Sequence, residues 1–284
     1  MKIEILGSGG ATTTPRPGCQ CHVCVQARAN GVPYSRTGPS VFVHGPNVLI
    51  DTPEESKLQL DRAGIGRVEA CLYSHWHPDH VMGRRVFEAV NMDFAAWPPN
   101  RQLTNVYLPQ EVAHNFRERL GSWEHLMFLQ KHQLITVHQL EDDEYISLNG
   151  VEVYPFRLAE DYVYAFLFEG EGRRVLIAMD ELYGWQPPDF VRGVDLVVMP
   201  MGLTEFDPFD GHRVIPAEHP VLRAEATYRQ TLDMVRTLDA GRVVLSHIEE
   251  AVRLSHDDLK RLEDGLHDEG LNVEFAYDTM LIEV

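Results

Sequence analysis

The sequence predicts a mixed protein of the α/β (α+β) class. Short runs with β-strand character, such as residues 2–6 and 173–178, alternate with stretches of helical periodicity. The clearest helix is predicted over 223–238, where apolar side chains recur along one stripe. Another is expected after Ser255, a residue type that caps helix N-termini. Strands and helices therefore alternate along most of the chain.

Turn residues separate these predicted elements. The first strand stops at a glycine loop over 7–10, and a hairpin is expected around 44–47. The Asn149-Gly150 pair is a strong signal for a second hairpin. A helix over 54–63 is closed by Gly64. The remaining β-like runs lie at 40–43, 47–50, 103–108, 133–138, 144–148, 151–156, 163–169, 195–199, 242–246 and, as one final segment, 273–284.

Composition limits the functions that the chain can have. Of its 284 residues, 44% are hydrophobic and 9% are aromatic, which is ordinary for a globular core. The formal net charge of -18 argues against broad electrostatic binding to nucleic acid or to an anionic membrane. No apolar run is long enough to cross a bilayer, and residues 1–6 do not resemble a signal peptide. We therefore expect a cytoplasmic protein.

Residue types that bind metals are concentrated just after the apolar run at 68–73. His75, His77, Asp79 and His80 fall within six residues. A half-buried strand would alternate polar residues with apolar ones, so strand polarity does not explain this set. Imidazole and carboxylate ligands suit zinc, iron or manganese. The spacing directs two of these side chains to one metal ion and two to a neighbouring ion.

This H-x-H-x-D-H pattern resembles the signature of the metallo-β-lactamase superfamily. The resemblance implies a four-layer αββα sandwich with two metal ions at the edge between two sheets. It covers nearly the whole chain, so we expect a single domain over residues 1–284. An aromatic-rich excursion of helices and loops is expected near 83–131, with aromatic rings in the core or lining a substrate pocket. Its aromatic residues are Phe87, Phe94, Trp97, Phe116, Trp123 and Phe128.

The same resemblance implies further site residues. Asp180 matches the aspartate that bridges the two metals, His247 matches the final ligand histidine, and Asp51 matches an aspartate that orients a histidine. The family's third histidine is absent from the loop that precedes the run at 163–169. Either a carboxylate from Glu160 or Asp161 replaces it, or the first metal is weak or absent.

A second metal site is predicted from the cysteines. Cys19, Cys21 and Cys24 form the run Gly-Cys-x-Cys-x-x-Cys, which favours a structural zinc site, with a redox site or free thiols as alternatives. The run resembles the superfamily branch of PhnP-type cyclic phosphodiesterases and of pyrroloquinoline-quinone biosynthesis protein B. In the cyclic phosphodiesterases, the resemblance implies, a histidine stands at the position of Glu250 as fourth ligand. Here the fourth ligand is Glu250 itself or one of three histidines, His22, His44 and His256.

Two loop histidines are candidates for a catalytic role beside Asp79. In the cyclic phosphodiesterase branch, a histidine on the segment before the last helices contacts the phosphate and acts as general acid. His212, in Asp210-Gly211-His212, resembles that motif, and His219 is its competitor. Loops at strand ends are where reactive groups tend to lie.

Together these features predict a metal-dependent hydrolase in which water activated as hydroxide by the metal ions attacks a small, including cyclic, phosphodiester. Zinc, manganese or iron are the expected catalytic metals, beside the structural zinc. Hydrolysis of an ester, thioester or lactone is an alternative, as is a non-hydrolytic biosynthetic protein. The expected partner is a small anionic molecule, with a homodimer left open. A transfer RNA nuclease is disfavoured by the charge of -18.

Overall fold

The computed structural model describes residues 1–93, 95–96 and 100–284, and of residues 100 and 101 only the backbone. Phe94 and Trp97 of the aromatic excursion lie outside the described residues. The strands in chain order are β1 (Lys2–Gly7), β2 (Ser40–His44), β3 (Val48–Ile50), β4 (Ala70–Leu72), β5 (Met92–Asp93), β6 (Asn100–Arg101), β7 (Thr104–Pro109), β8 (Ile135–Leu140), β9 (Ile146–Leu148), β10 (Val151–Arg157), β11 (Tyr164–Gly170), β12 (Arg173–Ile177), β13 (Leu196–Pro200), β14 (Arg242–Ser246), β15 (Val273–Phe275) and β16 (Met280–Glu283).

Helices occupy the connections between these strands. The α-helices are α1 (His22–Asn30), α2 (Ser56–Arg62), α3 (Pro78–Val81), α4 (Val86–Asn91), α5 (Gln110–Glu118), α6 (Ser122–Lys131), α7 (Tyr228–Leu238) and α8 (His256–Asp268). Short 3-10 helices cover Asp189–Val191, Pro220–Arg223 and Glu250–Val252. No helix in the described part of the chain has the length and apolar character that spanning a bilayer requires.

Two mixed sheets of seven strands each form the centre of the molecule. The first sheet has the order β16-β1-β2-β3-β4-β7-β8, and the second has the order β15-β14-β13-β12-β11-β10-β9. In the first sheet β3, β4, β7 and β8 are parallel, and in the second sheet β12 to β15 are parallel. Each sheet therefore has a parallel half, and the carboxyl ends of parallel strands meet at one edge of a sheet.

Alternating side chains along each strand build the layers. Val41 and Val43 of β2 point into the core between the sheets, where they meet residues such as Phe166. Phe42 points the other way, into a core shared with Phe116 of α5. The second sheet has an equivalent outer core against α7 and α8. The order helix, sheet, sheet, helix confirms the predicted αββα sandwich.

Two predicted elements differ from the structure. The segment 273–284, predicted as one strand, is two strands, β15 and β16, which lie at the edges of different sheets. The predicted helix over 223–238 begins only at Tyr228, because Thr227 caps its N-terminus and the preceding residues Pro220–Arg223 form a 3-10 helix. Neither the apolar pattern nor the stripe of helical residues revealed these breaks.

The aromatic excursion contributes mainly to the outer core of the first sheet. Phe87 and Phe116 are fully buried there, and Trp123 packs against the same cluster. Phe128 is 49% exposed. Phe87, Phe116 and Trp123 therefore serve packing, as the core alternative expects, whereas the exposed Phe128 does not.

A buried carboxylate joins the chain ends to the first sheet. Asp278 is fully buried and accepts hydrogen bonds from the backbone and hydroxyl of Ser8 and of Thr37, at 2.6–3.0 Å. Arg62 of α2 donates to the same carboxylate at 2.9 Å. Five donor groups, one of them a charged guanidinium, thus replace water around this buried carboxylate.

We expect Asp278→Ala to lower the free energy of unfolding by about 3–5 kcal/mol, because removing one partner of a buried ion pair leaves the other without compensation. Asp189→Ala is the matched control, since Asp189 is exposed and makes only a surface ion pair with Arg192. Urea unfolding monitored by tryptophan fluorescence measures both. Equal effects of the two substitutions would contradict the structural role of Asp278.

Candidate metal centre

The strand ends bring the metal-binding residue types together. Asp51 follows β3, His75 follows β4, Asp180 follows β12 and His247 follows β14. Asp51, Glu181 and His247 have positive φ angles of 59°, 59° and 50°, the left-handed region that L-residues rarely adopt. Such strain costs about 1–3 kcal/mol per residue and persists where the surroundings hold it, which is common at functional sites.

Four metal-binding side chains form a compact group, here called cluster 2: Asp79, His80, Asp180 and His247. The Nε2 atom of His80 lies 3.3 Å from Asp79 Oδ2 and 3.7 Å from Asp180 Oδ2. The Nε2 atom of His247 lies 3.6 Å and 3.4 Å from the same two oxygens. Ligand atoms of a tetrahedral zinc ion, each about 2.0–2.1 Å from the metal, are about 3.3–3.4 Å apart. Cluster 2 therefore has the dimensions of a metal site.

A second group shares Asp180 with the first and is here called cluster 1: His75, His77 and Asp180. The Nε2 atom of His75 is 3.8 Å from Asp180 Oδ2. Among the described residues this group has three members, one fewer than cluster 2. Because both clusters include Asp180, any ions they hold are neighbours.

Buried atoms without partners support a metal at this place. His75 Nε2, Asp79 Oδ2, His80 Nε2 and His247 Nε2 are buried and have no hydrogen-bond partner among the described residues. A buried polar atom left unpaired costs about 1–3 kcal/mol. Four such atoms pointing into one place indicate that a cation belongs there, so the residues fit a divalent metal.

The partners of the outer imidazole nitrogens fix which nitrogen faces inward. His80 Nδ1 donates to Asp51 Oδ2 at 2.7 Å, and His75 Nδ1 lies 2.9 Å from Ser74 Oγ, which itself donates to Asp51 at 2.6 Å. Asp51 is fully buried. Such outer partners set the tautomer of ligand histidines and raise their basicity. Asp51 thus has the orienting position that the resemblance implied.

Electrostatics show that the carboxylates need positive charge. Burial alone would raise the pKa of Asp180, but the His247 and His80 imidazoles outweigh it and hold that pKa well below its usual value. Burial likewise opposes a charged His247, yet Asp180 and Asp79 raise the pKa of His247 to about 9. Burial lowers the pKa of His75, which is therefore neutral and suited to bind a metal. A divalent ion supplies the positive charge that protonated imidazoles otherwise provide.

Three predicted site residues are not brought to the clusters. Glu160 is exposed on the turn before β11, and it belongs to none of the metal-type groups found in the described residues. His212 is exposed and pairs with Asp210 at 2.5 Å, and His219 is exposed and caps the 3-10 helix Pro220–Arg223. Neither histidine is among the residues that line the cleft over the metal clusters, although Val221, two residues after His219, is. The predicted roles of these three residues are therefore not supported by their positions.

The structure brings the three predicted cysteines to Glu250, forming the cysteine cluster: Cys19, Cys21, Cys24 and Glu250. Glu250 Oε1 lies 3.3, 3.4 and 3.2 Å from the three Sγ atoms, in chain order. In a tetrahedral zinc site a sulfur and an oxygen ligand are about 3.5 Å apart. The other oxygen of Glu250 is 3.5 Å from Arg16 Nε. Of the four alternatives for the fourth position, geometry therefore selects Glu250.

Backbone groups support the same arrangement. The N–H groups of Arg16, Cys21 and Cys24 donate to Sγ atoms of the cluster at 3.3–3.5 Å. The N–H of Cys21 and the side chain of Arg16 lower the pKa of Cys19, which favours its thiolate. Metals bind the thiolate rather than the thiol. These donors stabilise the charge that three thiolates and a carboxylate would carry around zinc.

A cleft of about 300 Å³ opens over clusters 1 and 2. Beyond the metal-type residues it is lined by Glu181, Glu225, Glu249 and small or aliphatic side chains, and by no lysine or arginine of the described chain. Burial, followed by the charge of Asp180, raises the pKa of Glu181 to about 8 and that of Glu225 to about 7. The cleft is therefore small and lined by carboxyl groups, two of which keep their protons to a higher pH than usual. Sequence reasoning missed Glu181 and Glu225, although the adjacency of Glu181 to Asp180 was an available signal.

We expect Cys21→Ser to remove one metal ion per chain, because a hydroxyl binds zinc far less well than a thiolate. Metal content by mass spectrometry on protein purified without chelators measures this. Cys71→Ala is the matched control, since Cys71 is buried in a strand away from the cluster and should cost no metal. Unchanged metal content in Cys21→Ser would exclude the cysteine cluster as a zinc site.

We expect Asp51→Asn to weaken metal binding at cluster 2 by about 10- to 100-fold, because His80 loses its charged hydrogen-bond partner. Competition with a chromophoric chelator measures the affinity. Asp61→Asn, at an exposed position on α2, serves as control. An affinity equal to that of the wild type would show that Asp51 does not tune this ligand.

Comparison with known proteins agrees with this geometry. The family model of the β-lactamase superfamily domain matches residues 45–248. A diphosphatase from the PhnP family superimposes with a TM-score of 0.71 at 22% identity, covering 100% of this chain and 97% of that chain. Zinc-bound PqqB from Methylobacterium extorquens gives a TM-score of 0.73 at 16% identity and covers 100% of both chains. Both structural likenesses concern the fold.

A curated relative matches over a shorter stretch. An octanoyltransferase from Porphyromonas gingivalis is 34% identical over 123 residues, which is 42% of this chain. The chain matches only 23% of that protein's length. The family model, in contrast, covers more than half of the chain and includes all residues of clusters 1 and 2. The chain therefore belongs to the metallo-β-lactamase superfamily.

Proposed function

We propose that this protein is a metal-dependent hydrolase of a small molecule, and that its substrate is a phosphodiester with a single negative charge. The observation that carries the proposal is the sharing of Asp180 by two groups of buried metal-binding atoms. Two divalent ions held side by side act as Lewis acids and lower the pKa of water, which is the chemistry that hydrolysis requires. Zinc is the proposed ion, and manganese and iron suit the same ligands.

The residues of the chain divide the work around these ions. His75, His77 and Asp180 would hold one ion, and Asp79, His80, Asp180 and His247 would hold the other. Asp51 and Ser74 hold the imidazole rings in place from behind. The cleft admits the substrate on the opposite side. Its volume of about 300 Å³ is at the lower end for ligand pockets, which supports a small substrate.

The charge of the cleft limits which substrates can bind. Glu225 and Glu249 lie beside the metal clusters, and the described lining contains no lysine or arginine to pair with additional phosphate charge. Glu249 is compensated by the N–H groups of Ala11 and Thr12, at 2.8 and 2.9 Å, whereas Glu225 is not held in this way. A phosphate monoester or polyphosphate would meet more repulsion than a diester. Nucleic acid as a substrate is further disfavoured by the net charge of -18.

Hydrolysis of a neutral ester or thioester is the second candidate, and the same cleft favours it. A carbonyl substrate carries no charge to be repelled by Glu225, and Leu182, Leu203 and Val221 offer apolar contact to an acyl group. The partial likeness to an octanoyltransferase also points to an acyl group. The two candidates share one metal centre and differ in the bond that is cleaved.

We expect zinc- or manganese-loaded protein to hydrolyse bis(p-nitrophenyl) phosphate faster than p-nitrophenyl butyrate, measured as p-nitrophenolate release. Losing an outer hydrogen-bond partner of a metal ligand lowers activity by about 10- to 100-fold. Asp180→Asn should lower the rate by more than that, because both clusters lose their shared carboxylate. Asp189→Asn, at an exposed position with only a surface ion pair to Arg192, is the control. Faster ester hydrolysis would favour the second candidate, and no turnover of either substrate would contradict a hydrolase.

A further inference from the structure

Cluster 1 has one protein ligand fewer than cluster 2, and the structure indicates which residue completes it. We propose that Glu181 is the fourth protein ligand of cluster 1, where the superfamily pattern has a third histidine. This inference rests on the metal centre of the proposed function and is independent of the bond that is hydrolysed.

The position of the carboxylate is the first support. Glu181 Oε1 lies 3.4 Å from His77 Nδ1. That separation equals the about 3.3–3.4 Å expected between two ligands of one tetrahedral zinc ion. This contact is not one of the hydrogen bonds of the described residues. A hydrogen bond between Glu181 and His77 therefore does not account for their proximity. The carboxylate is thus beside one ligand of cluster 1, but it is not among the atoms within 4.8 Å of one another that define the cluster, so the Glu181 side chain has to turn towards Asp180 when an ion binds.

Burial is the second support. Glu181 is only 8% exposed, and among the described residues it has an ion-pair contact only with the imidazole of His77. A buried carboxylate is costly unless it is paired with positive charge or coordinates a metal. Its nearest charged neighbour along the chain is Asp180, which repels it. A cation between Glu181, His77 and Asp180 would remove both costs.

The backbone is the third support. Glu181 adopts a left-handed φ of 59°, as do Asp51 and His247, which both serve cluster 2. For a glutamate this conformation is strained, and an ordinary extended residue after Asp180 would place its side chain elsewhere. The strained turn keeps two consecutive carboxylates, Asp180 and Glu181, on the same cleft.

The other carboxylates near the site do not fit this position. Glu160 is exposed on its turn, and Glu225 has no ion-pair contact to a cluster histidine in the described structure. Glu181 also gives the first ion two imidazoles and two carboxylates, where three imidazoles would leave more positive charge. Oxygen ligands suit manganese and ferrous iron better than imidazoles do, so cluster 1 should tolerate these ions.

The test compares Glu181→Gln with two controls, Glu160→Gln and Glu225→Gln. The glutamine keeps size and hydrogen-bonding capacity but removes the anionic ligand. Metal content by mass spectrometry and calorimetric titration of the metal-free protein with zinc and with manganese give readouts that do not depend on activity. We expect the wild type and both controls to bind three ions per chain. Glu181→Gln should bind two tightly and the third at least about 10-fold more weakly.

Retention of three ions with wild-type affinity in Glu181→Gln would overturn the proposal, and loss of the ion in Glu160→Gln instead would assign the role to that residue. If Glu181→Gln loses all metals because it does not fold, Glu181→Asp decides the matter. Glu181→Asp keeps the negative charge but has a shorter side chain. Metal binding at cluster 1 should therefore weaken, while cluster 2 and the cysteine cluster keep their ions. Three bound ions without hydrolysis would reject the proposed function and leave this ligand assignment intact.

Discussion

The shared carboxylate of Asp180 is the interaction on which the candidate site depends. Its Oδ2 atom lies 3.8, 3.7 and 3.4 Å from the imidazole nitrogens of His75, His80 and His247, and it is only 7% exposed. Removing this group from water is costly, and only positive charge from protons or metal ions offsets that cost. The parallel halves of the two sheets supply the convergence, because the residues that follow β4 in one sheet and β12 and β14 in the other meet at one place. The sandwich therefore acts as a frame that brings ligands from distant parts of the chain to one carboxylate.

The cysteine cluster and the metal centre are joined by one short segment. His247 lies in cluster 2, Glu249 lines the cleft, and Glu250 meets the three thiols. The backbone of this segment also binds the glycine loop, through Ile248 N–H to Ser8 O at 2.9 Å. A Cβ atom on Gly10 would come within 2.3 Å of Glu249 Oε1, so a larger residue here would displace that carboxylate. A structural zinc at the cysteines would thus hold the strained His247 turn in position.

The sequence predicted the parts of the site whose signal is local. The H-x-H-x-D-H run, the acid after β12 and the histidine after β14 all lie together in the structure, and the cysteine spacing pointed to Glu250 as one option. The predicted and observed positions differ most where side-chain placement decides. Glu160 has the right chemistry but is exposed on its turn, whereas Glu181, on a left-handed turn, is buried and lines the cleft. A φ angle that few residues adopt is set by tertiary packing and leaves no periodic signal. The split of residues 273–284 between two sheets was missed for the same reason, since pairing partners are not local.

Anomalous diffraction at the zinc absorption edge, from crystals of protein loaded with zinc, tests the central claim most directly. We expect three peaks per chain. One lies on each side of Asp180, and the third lies among Cys19, Cys21, Cys24 and Glu250. The peaks beside Asp180 would place the two ions of a hydrolytic centre. An absence of any peak among Asp79, His80, Asp180 and His247 would contradict the claim that these strand ends form a metal site.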